Sequence, residues 1–195
     1  MSSIKPFINS AMKRIEPKQQ LRILTLTAMF LAVIVVLEAS MVMLPNVQLT
    51  VLLMMVFATL FPKSLFVPFV IAYVVIDNFT GIFLVGSIDF MILIPMTLAW
   101  LLLLYATRAL KKAPFWVILL FSFAFGFIYG WMYIPAHVLK FGITTLWPYF
   151  VADLPFEITM ALSNVVSVLL LYRFLTTKLQ VLFFDRPSEE SVEKS

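Results

Sequence analysis

Long apolar stretches alternate with short polar interruptions along the chain, and the interruptions mark where elements end. Apolar runs near residues 21–37, 47–61, 65–76, 90–106, 115–135 and 149–175 predict six helices. A straight helix crossing a hydrocarbon core of about 30 Å needs about 20 residues. The run at 65–76 is too short by that measure, which predicts a tilted or partly buried helix beside a cavity. Composition agrees with spans rather than a soluble core. The chain is 63% hydrophobic with a mean hydropathy of +1.04, against about 45–50% apolar residues in soluble domains. The expected fold is therefore an all-α integral membrane protein, a six-helix transmembrane bundle forming one domain over residues 21–178. A basic leader (1–20) precedes it and a polar tail (179–195) follows.

Charge orients this bundle. With the N-terminus cytoplasmic, the inner segments hold Lys5, Lys13, Arg14, Lys18, Arg22, Lys63, Arg108, Lys111, Lys112, Arg173, Lys178, Arg186 and Lys194, and only Lys140 falls outside. The positive-inside rule favours that orientation, with both termini cytoplasmic and the chain in the cell membrane. The formal charge of +4 then reflects topology and anionic inner-leaflet lipid rather than nucleic acid. In the leader, Ile4, Phe7, Ile8, Met12 and Ile15 share a helical stripe, which suits a helix lying on the inner membrane surface. A disordered basic leader is the alternative, because Pro6 and Pro17 interrupt it. No small-residue motif closes the first apolar run, so no cleavable signal is expected.

Several chemistries are excluded. None of the five glycines precedes a lysine, so no phosphate-cradling loop exists and the chain is not expected to hydrolyse ATP. A single histidine, His137, and no cysteine leave no zinc set and no disulfide. No enzyme activity, metal or cofactor is expected. Binding, transport or scaffolding remain.

The polar residues that stay inside the apolar runs are the candidates for such a role. Glu38, Asp77, Asp89, Asp153 and Glu157 gather near the predicted outer helix ends. Asp153, Glu157 and Asn164 fall within about 40° of one another on the last span. Such a stripe is costly in lipid, about 2.5–3.5 kcal/mol for an acid at mid-bilayer, so it must face a cavity or a protein. Glu157 is read as a ligand contact, whereas Asp153, before Pro155, can equally cap the start of a helix. Tyr129, Tyr133 and His137 recur every fourth residue and form a polar aromatic strip, with Trp131 and Trp147 beside it. Trp147 reads better as an interfacial anchor. His137 and Lys140 are the outer groups able to meet an anion, while Lys140 also suits a solvated loop. Glu38, with Asn46 and Gln48 beside Pro45, can line a pocket mouth or cap helices. Residues 78–88 read as an outer loop with Gly81 and Gly86 as pivots. Two small-residue faces complete the picture: Ala28, Ala32 and Ala39 on the first span, and Gly126 with Gly130 on the fifth. Either set can serve internal packing or docking of another helix.

Taken together, these features resemble the substrate-binding S component of an energy-coupling factor vitamin transporter, over about residues 21–175. The resemblance rests on six spans, on Ala28-Met29-Phe30-Leu31-Ala32, on Pro45-Asn46 after the first span, on the short third span and on the polar face of the sixth. It implies that Ala28 and Ala32 dock on a transmembrane T component coupled to two cytoplasmic ATPase subunits. It also implies that the S component topples in the membrane to carry its vitamin inward. The run Leu44-Pro45-Asn46-Val47-Gln48-Leu49-Thr50 reads most like the pantothenate-type members. The expected substrate-binding set is Glu38, Asn46, Gln48, Asp77, Tyr129, Tyr133, His137, Lys140, Glu157 and Asn164. The surplus of acids suits an aminopyrimidine such as hydroxymethylpyrimidine, which is the alternative ligand. A proton-coupled secondary transporter using Glu157 or Asp77 is the alternative class, made less attractive by the lack of an internal repeat.

Overall fold

A computed structural model describes residues 17–41, 49–85 and 90–184. Among these residues all regular structure is helical: α1 (Pro17–Ser40), α2 (Thr50–Leu60), α3 (Phe66–Val85), α4 (Phe90–Ala109), α5 (Phe115–Trp131), α6 (Ile134–Phe141), α7 (Leu146–Ser167) and α8 (Arg173–Phe183). A π-helical stretch, Val168–Tyr172, joins α7 to α8 without a break. Four described stretches are long and apolar enough to cross a membrane: Lys18–Ser40, Phe90–Lys112, Phe115–Phe141 and Ile143–Phe183. Their outward faces are apolar, as on α4, where Phe90, Ile94, Leu98 and Leu102 are all exposed. An apolar exterior of that extent is what lipid, rather than water, solvates.

The core is built around the shortest span. Every residue of α2 from Thr50 to Ala58 is buried, so this helix has no polar face and is enclosed by α1, α4, α7, α8 and the π stretch. Phe57 stacks on Phe69 of α3 at 3.7 Å and on Phe61 at 4.4 Å, with Phe30 of α1 tilted against it. At one end of the bundle the last carbonyls of α2 are held by cations. Arg108 Nη1 donates to Thr59 O at 2.9 Å and Ala58 O at 3.2 Å, and Lys111 Nζ donates to Thr59 O. Carbonyls that a helix end leaves without partners are thereby satisfied. The π stretch lies at the same end, where Tyr172 reaches Thr59, hydroxyl to hydroxyl at 2.7 Å.

Several expectations are corrected. The short helix is the second, not the third. α3 spans 20 residues, and Asn78, which lowers the local hydropathy, has partners within the bundle. Asn78 Nδ2 donates to Val74 O at 2.8 Å and also contacts Met96 Sδ. The expected outer loop at 78–88 is accordingly helical as far as Val85, with Gly81 inside the helix. At the other end of the chain, the helix runs on to Phe183, past the expected start of the tail. The leader stripe, Asn46, Gln48, Gly86 and Asp89 fall outside the described residues.

α5 and α7 approach most intimately. A Cβ placed on Gly126 would lie 2.6 Å from both the Cα and the N of Ala161, so only a glycine lets the two backbones come this close. The Gly126–Gly130 face therefore packs inside the molecule. Beyond Trp131 the chain turns at Met132–Tyr133 and restarts as α6, with Pro135 in its first turn. Proline fits there because first-turn N–H groups have no helical partner. α6 ends on Gly142, whose φ of 88° is left-handed and favours a residue without Cβ.

Candidate functional site

The polar end of the bundle, opposite Arg108, is organised by a column of aromatic rings. Trp100 of α4 is 1% exposed and meets Tyr73 of α3 edge-on at 5.5 Å, Phe125 of α5 at 5.8 Å and Tyr129 at 5.2 Å. Phe125, Tyr129 and Tyr133 follow at intervals of four residues, so the column continues along one face of α5 and into the turn. The Tyr133 hydroxyl donates to the Tyr129 hydroxyl at 2.8 Å. The Tyr73 hydroxyl donates to Glu38 Oε2 at 2.7 Å. Asp77, one turn beyond Tyr73, is close enough to interact electrostatically with Glu38, Tyr73, Tyr129 and Tyr133. Four of the predicted site residues, from three helices and a turn, thus converge. The Trp100 indole N–H, at their base, has no hydrogen-bond partner among the described residues.

Beside this column lies a chamber of about 160 Å³ between α5 and α7. Glu157 sits in its wall with only 4% of its surface exposed. Its Oε2 accepts a hydrogen bond from Trp131 Nε1 at 3.1 Å. Its Oε1 receives no hydrogen bond among the described residues and lies over Gly130, so close that a Cβ there would collide with it. Asp153, one turn earlier on α7, lies within electrostatic reach of the Tyr149 hydroxyl, which is placed to donate toward it. Tyr129, Tyr133, Tyr149 and Phe156 supply aromatic walls. Among the described residues no lysine, arginine or histidine lines this chamber. Its chemistry is that of a hydrogen-bond acceptor site with aromatic sides.

A second cavity, of about 190 Å³, adjoins the first between the start of α4, α6 and the start of α7. It contains His137 and Lys140. The His137 ring stacks on Tyr149 at 4.0 Å, and its Nε2 lies 3.0 Å from Thr145 Oγ1. Lys140 Nζ sits 5.4 Å from the Phe141 ring centroid.

Other predicted residues lie elsewhere. Asn164 is fully buried, donates to Ser122 O at 3.2 Å and lines neither cavity. Ala28 and Ala32 fall on the exposed face of α1. Trp147 is 71% exposed, the position expected of an interfacial anchor. The capping alternative for Asp153 is removed: α7 starts at Leu146, so Asp153 and Pro155 are interior residues. Sequence reasoning did not single out Tyr73, Trp100 or Tyr149 as site residues, nor the role of Trp131 as a donor to Glu157. The Tyr149–Asp153 pair had a readable signal, since a donor and an acid four apart face one another on a helix. Tyr73 and Trp100 had none, because an aromatic residue in an apolar span reads as packing.

Comparison with known proteins is negative: no family model matches the chain, and no curated protein or solved structure matches it.

Proposed function

We propose that this chain is the substrate-binding membrane subunit of an ATP-driven vitamin uptake transporter of the energy-coupling factor type. In this reading the polar end faces outward, takes a small water-soluble molecule, and releases it inward as the subunit reorients on a T component. The carrying observation is the buried acid in the chamber wall. A carboxylate 4% exposed in a lipid-solvated bundle is costly to keep, and Glu157 retains one oxygen with no bonded partner. Asn164 also has an oxygen without a partner among the described residues, but it lines neither cavity, whereas Glu157 lines the chamber. The alternative of a pure scaffold gives that oxygen nothing to do.

Pantothenate is the substrate to which the resemblance points. Its carboxylate would sit by His137 and Lys140, and its hydroxyls would donate to the acids of the chamber. Hydroxymethylpyrimidine is the second reading, favoured by the pairing of Asp153 with Glu157, since an amino group and a carboxylate are complementary. The ATP comes from two cytoplasmic ATPase subunits, because no phosphate-binding loop exists in this sequence. Co-expression tests the assembly. The tagged chain, expressed with candidate T and ATPase subunits, is expected to capture all of them in a complex that hydrolyses ATP. Uptake by the chain alone, driven by a proton gradient, would replace this reading with that of a secondary transporter.

A further inference from the structure

The two cavities share Tyr133 and Tyr149 and no other residue. We propose that they are the two halves of one binding site and that the Tyr149 ring is a movable partition between them.

Size gives the first argument. Cavities of about 160 and 190 Å³ are each close to the roughly 150 Å³ that holds a single benzene ring. Ligand pockets for larger molecules begin near 300 Å³. Neither half reaches that bound, and joined they pass it. The second argument is which ring can move. Tyr133 is held by the Tyr129 ring at 5.2 Å and by donation to its hydroxyl, in the turn between two helices. Tyr149 lies in the first turns of α7, after Trp147 and Pro148, both exposed. It is kept in place by a ring stack on His137 and by the interaction of its hydroxyl with Asp153 of its own helix. Rotation of its side chain breaks those two contacts.

The same rotation changes the chemistry of the chamber. With Tyr149 in place, its hydroxyl occupies Asp153. With Tyr149 turned away, Asp153 joins Glu157 Oε1 as an acceptor in need of a donor. A ligand with amino or hydroxyl groups at one end replaces the tyrosine donor on Asp153, while its other end remains beside His137. The site thus takes an elongated molecule, donor-bearing at the buried end. A molecule lacking such donors leaves the buried Glu157 and the half-buried Asp153 without a donor and binds less well.

This ligand class rests on the transport reading above, whereas the partition is testable with no ligand at all. The sequence contains no cysteine, so single cysteines report access cleanly. Met160 lines the chamber and Ala136 lines the other cavity. The full chain carrying Met160→Cys or Ala136→Cys would be exposed to a membrane-impermeant methanethiosulfonate reagent and its labelling rate measured. The Met160→Cys protein is expected to react slowly. Adding Tyr149→Ala is expected to raise its rate tenfold or more, and Tyr149→Phe, which keeps the ring but loses the hydroxyl facing Asp153, by two- to fivefold. The Ala136→Cys rate is expected to stay within twofold in both backgrounds. Equal Met160→Cys rates with and without Tyr149 overturn the partition. So does parallel acceleration at both cysteines, which would make Tyr149 a structural prop. Because these rates do not involve transport, a fixed partition leaves the transport reading standing, and failure of complex assembly leaves the partition standing.

Discussion

Gly130 and Glu157 occupy one position between them: a Cβ on Gly130 would lie 3.0 Å from Glu157 Cγ and 3.1 Å from Cδ, and would overlap Oε1. The glycine on α5 is the space in which the carboxylate of α7 resides. A chain that keeps a buried acid must give it room as well as a donor, and Trp131, the next residue, is that donor.

Gly130→Ala should therefore displace the carboxylate. The added methyl gains about 1 kcal/mol of helix propensity, which offsets much of the strain of moving a side chain end. Thermal stability should change little, while ligand affinity should fall about tenfold, roughly 1.4 kcal/mol. Calorimetric titration of the vitamin into the two proteins checks this. Unchanged affinity would place the ligand away from Glu157.

Gly126→Ala should behave in the opposite way. Its Cβ meets the Ala161 backbone at 2.6 Å, and backbone cannot swing aside, so α5 and α7 must separate. Overpacking of this kind costs about 1–3 kcal/mol, more than the propensity gain. The melting temperature in detergent should drop, with any loss of binding following from loss of folded protein.

Much of this was legible in the chain, and what was not has specific causes. The apolar runs locate the helices because a span must satisfy its backbone internally. The acids of the last span and the Tyr129–Tyr133–His137 strip led to the site because their spacing repeats a helical period. The third helix was misjudged because hydropathy counts Asp77 and Asn78 as polar and cannot see that the Asn78 amide is satisfied by Val74 O. Asn164 shares the angular position of Glu157 but lies two turns away. There the α5–α7 contact has closed and the amide meets Ser122 O instead of a cavity. Angle on a helix is readable from sequence; depth along a tapering interface is not.

Asn164→Ala should accordingly affect folding rather than affinity. Its one hydrogen bond is worth about 0.5–1.5 kcal/mol, and its Oδ1 is already without a partner, so the net loss should lie at the lower end. Thermal unfolding in detergent measures it. A selective loss of ligand binding in a stable Asn164→Ala protein would return this residue to the site.

At the basic end, Arg108→Leu should destabilise the bundle by about 1–3 kcal/mol, because two carbonyls of the buried helix α2 lose a charged donor. Lys111→Leu should cost less, since Lys111 is exposed and makes a single contact to Thr59 O. Denaturation midpoints of the two proteins should differ in that order.

The central claim is that the polar end holds a small polar molecule. Mass spectrometry of compounds released from the purified full chain tests it most directly, with the Glu157→Ala protein purified in parallel. The account predicts one water-soluble vitamin, near one per chain, bearing amino or hydroxyl donors and depleted at least tenfold in Glu157→Ala. Release of lipid alone from both proteins, after growth in medium containing the vitamins, would contradict it.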